Sequence, residues 1–189
     1  MNKLNVMVVG VGGQGTLLTS RIIGKVALSQ GYDVKLSEVH GMAQRGGSVV
    51  TFVRFSDKVS EPVVEEGDVD VLISFERLEA LRYAHYLKKD GKLIVNDTRI
   101  DPMTVVIGAN EYPENIIEKL KLIHSVHTID GGAIANELGN SKVLNSVVLG
   151  LAAKYIGFEE SVWLDIIEKT VPQKTIDINK KAFIMGYNC

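Results

Sequence analysis

The sequence predicts an α/β fold: a doubly wound, mostly parallel sheet of Rossmann-like type, completed by a helical C-terminal third. Short apolar, β-branched runs recur at residues 4–9, 69–75 and 92–96, the composition of strands covered on both faces. Between them stand segments whose apolar positions fall at helical spacing, and alternation of strand with helix points to a parallel sheet. The chain has 189 residues, 46% of them hydrophobic, which suits a single domain, residues 1–189, with a substantial core.

The first run ends at Gly10, where GVGGQG occupies residues 10–15. Residues 16–30 then place Leu17, Leu18, Ile22, Ile23, Val26 and Ala27 on one helical face, and Gly31 ends that helix. Residues 32–37 read as the second strand, with Glu38 at its end. Residues 48–55 alternate Val49, Thr51, Val53 and Phe55 against Val50, Phe52 and Arg54, a strand pattern. Residues 69–75 form a buried strand and 78–87 a helix, with His85 on it lacking an obvious partner. Residues 92–96 form a strand bounded by Asp90-Gly91 and Asp97. Pro113 suits the start of a helix over 114–121. A short strand, 125–129, precedes helices over 131–138, 142–155, 159–169 and 175–185.

Composition excludes several classes of function. A net charge of -2 gives no electrostatic footprint for nucleic acid. A single cysteine, Cys189, cannot form an internal disulfide, a Cys-ligated zinc site or an iron–sulfur cluster, and it suits a reducing compartment. No apolar run reaches the ~20 residues of a membrane span. Met-Asn-Lys leads directly into a strand without a signal-like core, so a cytoplasmic location is expected.

The chemistry gathers at two places. In GVGGQG, Gly10, Gly12, Gly13 and Gly15 let backbone N–H groups approach an anion at the positive end of the following helix, with Gln14 and Thr16 as further donors. The same glycines also suit a tight strand-to-helix turn that binds nothing. The second place is EVHGMAQRGG, residues 38–47. A dinucleotide site carries a ribose-binding carboxylate about 20 residues past its glycines, at the end of the second strand. Glu38 stands there, but His40, Gln44 and Arg45 follow at once, with Gly41, Gly46 and Gly47 between them and Met42 as apolar surface. Arg45 offers a planar fork for carboxylate or phosphate, and His40 offers a proton or a hydrogen bond. Alternatively Glu38 and Arg45 pair with each other in an ordinary surface loop.

Other candidates are weaker. Glu76-Arg77-Leu78-Glu79 reads as the charged first turn of a helix, and Asn96-Asp97-Thr98 as a turn and cap. The three-residue spacing of His124 and His127 places them on opposite faces of a strand, which argues against a shared metal.

GVGGQG, EVHGMAQRGG and the later block LGNSKVLNSVVLG at residues 138–150 together resemble the gamma-type domain of 2-oxoacid:ferredoxin oxidoreductases. The wording of the second block is similar to the small (beta) subunits of the indolepyruvate type, and the resemblance spans nearly the whole chain. It implies an enzyme complex that decarboxylates a 2-oxoacid, passes the acyl group to coenzyme A and reduces ferredoxin. It further implies that thiamine diphosphate, magnesium and iron–sulfur (4Fe–4S) clusters sit on a large alpha subunit, in a heterotetramer of two large and two small chains. Indolepyruvate and other aryl pyruvates are the implied substrates, although other members act on pyruvate, branched-chain oxoacids or 2-oxoglutarate. The glycine turn, Glu38, Gln44 and the candidate contacts His40 and Arg45 would then face coenzyme A or the substrate carboxylate. Two other readings remain open on the residues: a free-standing NAD(P)- or nucleotide-binding enzyme, and a docking subunit without a site of its own.

Overall fold

The computed structural model describes residues 3–40 and 46–189. Gln44 and Arg45, with Gly41 and Met42, lie outside the described residues. One six-stranded sheet contains β1 (Leu4–Val11), β2 (Asp33–His40), β3 (Ser48–Ser56), β4 (Val69–Ser74), β5 (Leu87–Asn96) and β6 (Ser125–Ile129), in the order β2-β3-β1-β4-β5-β6. The pairs β1–β4, β4–β5 and β5–β6 are parallel. β3 alone runs against its neighbours, inserted between β1 and β2. The expected α/β architecture is therefore present, with a mixed rather than purely parallel edge.

Helices α1 (Thr16–Ser29), α2 (Arg77–Tyr83), α3 (Met103–Val106), α4 (Ile116–Lys121), α5 (Gly131–Glu137), α6 (Leu144–Ile156), α7 (Glu160–Glu168) and α8 (Ile176–Tyr187) complete the described residues. Successive strand residues point to opposite faces, so each strand feeds two cores. Val6, Val8, Val53, Phe55, Val71, Ile73 and Ile94 meet α1 and the C-terminal helices through Ile22, Val26, Val147, Trp163 and Phe183. Met7, Val9, Phe52, Leu72, Leu93 and Val95 meet α2 and α4 through Ala80, Ile116, Ile117 and Leu120. β1 sends its helix to one face and β4 to the other. The sheet thus has a switch point between their carboxyl ends, where α/β folds leave a crevice.

Three expectations are corrected. The helix expected to reach residue 87 ends at Tyr83; a short 3-10 turn, Ala84–Tyr86, follows, and β5 begins at Leu87. Leu87 pairs with Val69 and is buried, so sheet pairing overrides the continuing helical pattern. His85 does have neighbours, with Glu66 Oε1 3.5 Å from its Nε2 and the Tyr86 ring 4.7 Å away. The helix expected from residue 114 starts at Ile116, because Asn115 takes a left-handed conformation at φ 54°. α3 was not expected, and none of its residues is buried.

The C-terminal third is held by a close backbone crossing. A Cβ on Gly186 would lie 1.9 Å from the Val147 carbonyl oxygen, and one on Gly150 2.1 Å from the Phe183 carbonyl oxygen. α6 and α8 therefore touch main chain to main chain. Beside the crossing, the Ser146 hydroxyl donates to Asn179 Oδ1 at 2.7 Å in a buried hydrogen bond. No rotamer change relieves a Cβ meeting a carbonyl, so Gly186→Ala must push the helices apart. We expect a loss of about 3 kcal/mol or more in urea unfolding; an unchanged midpoint would contradict the crossing.

Candidate functional site

β1 delivers the chain to the carboxyl edge of the sheet, where Gly10 is still in the ladder opposite Val49. Residues 12–15 turn it into α1. Gly15 is the N-cap, left-handed at φ 86°, and a Cβ there would also sit 3.2 Å from the side chain of Asn145. Both the backbone angle and the neighbour demand glycine. Asn145 is buried near the start of α6, so the third sequence block reaches the turn at this residue. Its role was not legible in the spacing.

The Gln14 Oε1 accepts from the Val11 N–H at 2.7 Å, and its Nε2 donates to the Phe75 carbonyl at 3.0 Å. Both ends of the amide are anchored inside the fold, so Gln14 shapes the turn, and its second Nε2 hydrogen is the donor left for a ligand. The Gly12 N–H donates to the Gly47 carbonyl at 2.9 Å, joining the turn to the root of β3. At the start of α1 no side chain caps the helix and its first turn holds no acidic residue. The N–H groups there keep the capacity, and the partial positive charge, to receive an anion.

Glu38 and His40 stand at the end of β2, one strand farther from β1 than in a simple dinucleotide fold, because β3 intervenes. That adds about 5 Å of separation. They nevertheless line one cleft of ≈ 420 Å³ with Gly12, Gly13, Gly15 and Thr16. Glu38 Oε2 is buried without a hydrogen-bond partner among the described residues. A buried acceptor left unpaired is costly, and a donor supplied by a ligand removes that cost. The cleft thus has helix-end N–H groups, able to receive an anion, on one side and a carboxylate oxygen without a donor among the described residues on the other.

On the opposite side of β1 lie two carboxylates that the sequence suggested only as a charged helical turn. Glu76 does cap α2, accepting from the Glu79 N–H at 3.0 Å. It is also only 1% exposed, and its other oxygen accepts from the Ile100 N–H at 3.1 Å and the Tyr112 hydroxyl at 2.6 Å. Burial, reinforced by this bond to Glu76, pushes the Tyr112 phenol well above its ordinary range. Glu79 is buried too, accepting from the Ser48 hydroxyl and pairing with Arg82 Nε at 3.1 Å.

Asn96, expected as a turn residue, is a buried junction. Its Nδ2 donates to the Phe75 carbonyl at 3.1 Å, and its Oδ1 accepts from the Gly131 N–H at 2.9 Å. A larger groove, ≈ 940 Å³, lies at the ends of β4–β6 beside Arg77, Asp97, Arg99 and Tyr112. Its two arginines are already engaged: Arg77 pairs with Asp97, and Arg99 pairs with Asp101 at 2.6 Å and stacks on Tyr112. The smaller cleft, with an acceptor unmet among the described residues and an uncapped helix, is the better site. His127 stacks on Tyr155 with ring centroids 4.4 Å apart, and burial lowers the pKa of both His124 and His127. Among the described residues no group of three or more His, Cys, Asp or Glu side chains is placed to hold a metal.

Residues 5–189 match the family described as "Pyruvate ferredoxin/flavodoxin oxidoreductase". The chain belongs to this family. Its relatives include the indolepyruvate oxidoreductase subunit IorB of Thermococcus kodakarensis, 41% identical over 98% of this chain and 95% of that protein. The Archaeoglobus fulgidus protein of the same name is 43% identical over 98% and 94%. Among solved structures, pyruvate oxidoreductase subunit PORC of Thermotoga maritima shares the fold, with a TM-score of 0.75 and 23% identity over 100% of this chain and 97% of that one. Membership of the family bears out the resemblance drawn from the three sequence blocks.

Burial raises the Glu79 carboxyl above its ordinary value, and the charge of Glu76 adds to the shift, while Ser48 and Arg82 pull against it. The folded chain therefore holds this proton more tightly than the unfolded chain. The resulting stability is complete below the unfolded value and is lost as pH rises through the folded one. Glu79→Gln removes that loss, so its stability relative to wild type should improve as pH rises from about 4.5 toward neutrality. Urea midpoints across that range test this; a difference independent of pH would refute it.

Proposed function

We propose that this chain is the small subunit of a 2-oxoacid:ferredoxin oxidoreductase of the indolepyruvate type, and that it contributes the coenzyme A side of the site. The observation that carries this reading is the ≈ 420 Å³ cleft, where the glycine turn and the start of α1 face Glu38 and His40. Coenzyme A carries phosphates for the helix end, and hydroxyl and amide donors for Glu38. The complex cleaves carbon dioxide from the oxoacid, leaves the acyl group on the coenzyme A sulfur and passes the released electron pair to ferredoxin. In this reading Arg45 and Gln44 contact the same ligand.

The chain's own donor set does not suit the redox groups. Its sole cysteine, Cys189, is exposed at the chain end, whereas an iron–sulfur cluster takes several thiolates. In this reading the clusters belong to a large partner subunit, which also carries thiamine diphosphate and magnesium. The work left to this chain is to bind and orient. The displacement of Glu38 by β3 disfavours the alternative of a free-standing NAD(P) enzyme.

Two experiments test this. Anaerobic purification of the tagged chain from its host should recover a large brown partner, with dye reduction dependent on indolepyruvate and coenzyme A. A colourless lone chain that binds NAD(P) would overturn the reading. In the assembled enzyme, Arg45→Ala should raise the KM for coenzyme A or oxoacid about tenfold, the scale of one charge-assisted hydrogen bond. Unchanged steady-state constants would remove Arg45 from the site.

A further inference from the structure

The glycine turn is braced from the side opposite its cleft. A pocket of ≈ 200 Å³ there is lined by Val11, Gly46, Ser48, Glu76, Glu79 and Arg82. Ser48 is the first residue of β3 and stands opposite Val11, the last residue of β1. Gly47, just before it, accepts the Gly12 N–H at 2.9 Å. The ladder therefore ends where the turn begins, and it is approached through Gly46, left-handed at φ 80°. Two consecutive glycines supply little stiffness, so the register of this corner depends on a side-chain anchor. Ser48 is that anchor. Its hydroxyl donates to Glu79 Oε2 and lies 3.0 Å from the Tyr83 hydroxyl. Glu79 is in turn fixed by its backbone N–H on Glu76 and by Arg82.

We propose that Glu79 is a positioning residue for the coenzyme A site: it clamps Ser48, and through the Gly47 carbonyl it sets the placement of the Gly12 N–H and the turn beyond it. This rests on the reading that the turn faces coenzyme A. Glu79 touches no ligand in this arrangement. It acts through a relay of Ser48, Gly47 and Gly12, with α2 as the rigid support. An aligned corner matters because small displacements of binding groups are felt strongly in the reacting complex.

The test uses the assembled enzyme. Glu79→Ala and Ser48→Ala should each raise the KM for coenzyme A about tenfold with kcat within about twofold, as expected for losing a charge-assisted bond that only positions. The double variant should be no worse than either single one, because the two residues form one link. Glu79→Gln keeps an acceptor for the Ser48 hydroxyl and should restore a KM close to wild type. Amide hydrogen exchange at Gly12 should quicken in Glu79→Ala and stay slow in Glu79→Gln. Additive KM effects, or a KM unchanged by Glu79→Ala while coenzyme A still protects residues 12–17 of the wild type, would overturn the inference. If coenzyme A fails to protect those residues in the wild type, the reading of the site falls instead. The clamp is then judged by exchange alone: faster Gly12 exchange in Glu79→Ala upholds it, and unchanged exchange rejects it.

Discussion

The Phe75 carbonyl, at the end of β4, is gripped from both sides by side-chain amides. Gln14 reaches it from the turn after β1 at 3.0 Å, and Asn96 from the end of β5 at 3.1 Å. Asn96 also receives the N–H of Gly131, where the chain leaves β6 for α5. One acceptor thus ties together the exits of four adjacent parallel strands. Backbone ladders align strands along their length, but they do not settle how the chain departs from each. The two amides do, and in a buried setting each is held to its task because an unpaired polar group there is expensive. The glycine turn, the Glu76 cap and the wall of the cleft all take their places from this junction.

The insertion of β3 gives the site its distinct character. In a plain dinucleotide fold the second strand pairs with the first, and its terminal carboxylate stands beside the phosphate turn. Here β3 separates them, so Glu38 faces the turn across an extra strand and the cleft is widened. The same strand carries Ser48 and Gly47, which brace the turn from behind. A single antiparallel strand therefore both opens the cleft on one side of the turn and supports the turn from the other.

Much of the fold was legible because its signals are local. Apolar runs such as residues 69–75, helical spacing in residues 16–30 and glycines at their boundaries all report on a few neighbouring residues. The alternation across residues 48–55 announced a strand but not its direction, since side-chain period is the same in both orientations. The buried state of Glu76, Glu79 and Asn96 was hidden for a related reason: each ends an apolar run or opens a helix, places where polar residues are ordinarily solvated. The internal bonds of Gln14 were hidden because its two partners, Val11 and Phe75, become neighbours only when β1 and β4 pair. Glu38 and His40 stood out in the sequence, and the structure places them in one cleft with the glycine turn; Gln44 and Arg45 fall outside the described residues.

The contact between Gly15 and Asn145 has a consequence for how this domain can be divided. A β-turn-α unit that receives a phosphate is often regarded as portable, since the glycines and the helix start lie within one short stretch. In this chain the floor beneath Gly15 is supplied by a helix more than a hundred positions later, itself locked in place by the α6–α8 crossing. A fragment ending after β6 would retain every glycine of the turn, yet it would lack the surface against which the turn is moulded. The glycine corner is thus a joint product of both ends of the polypeptide, and it is completed only when the last helix has docked.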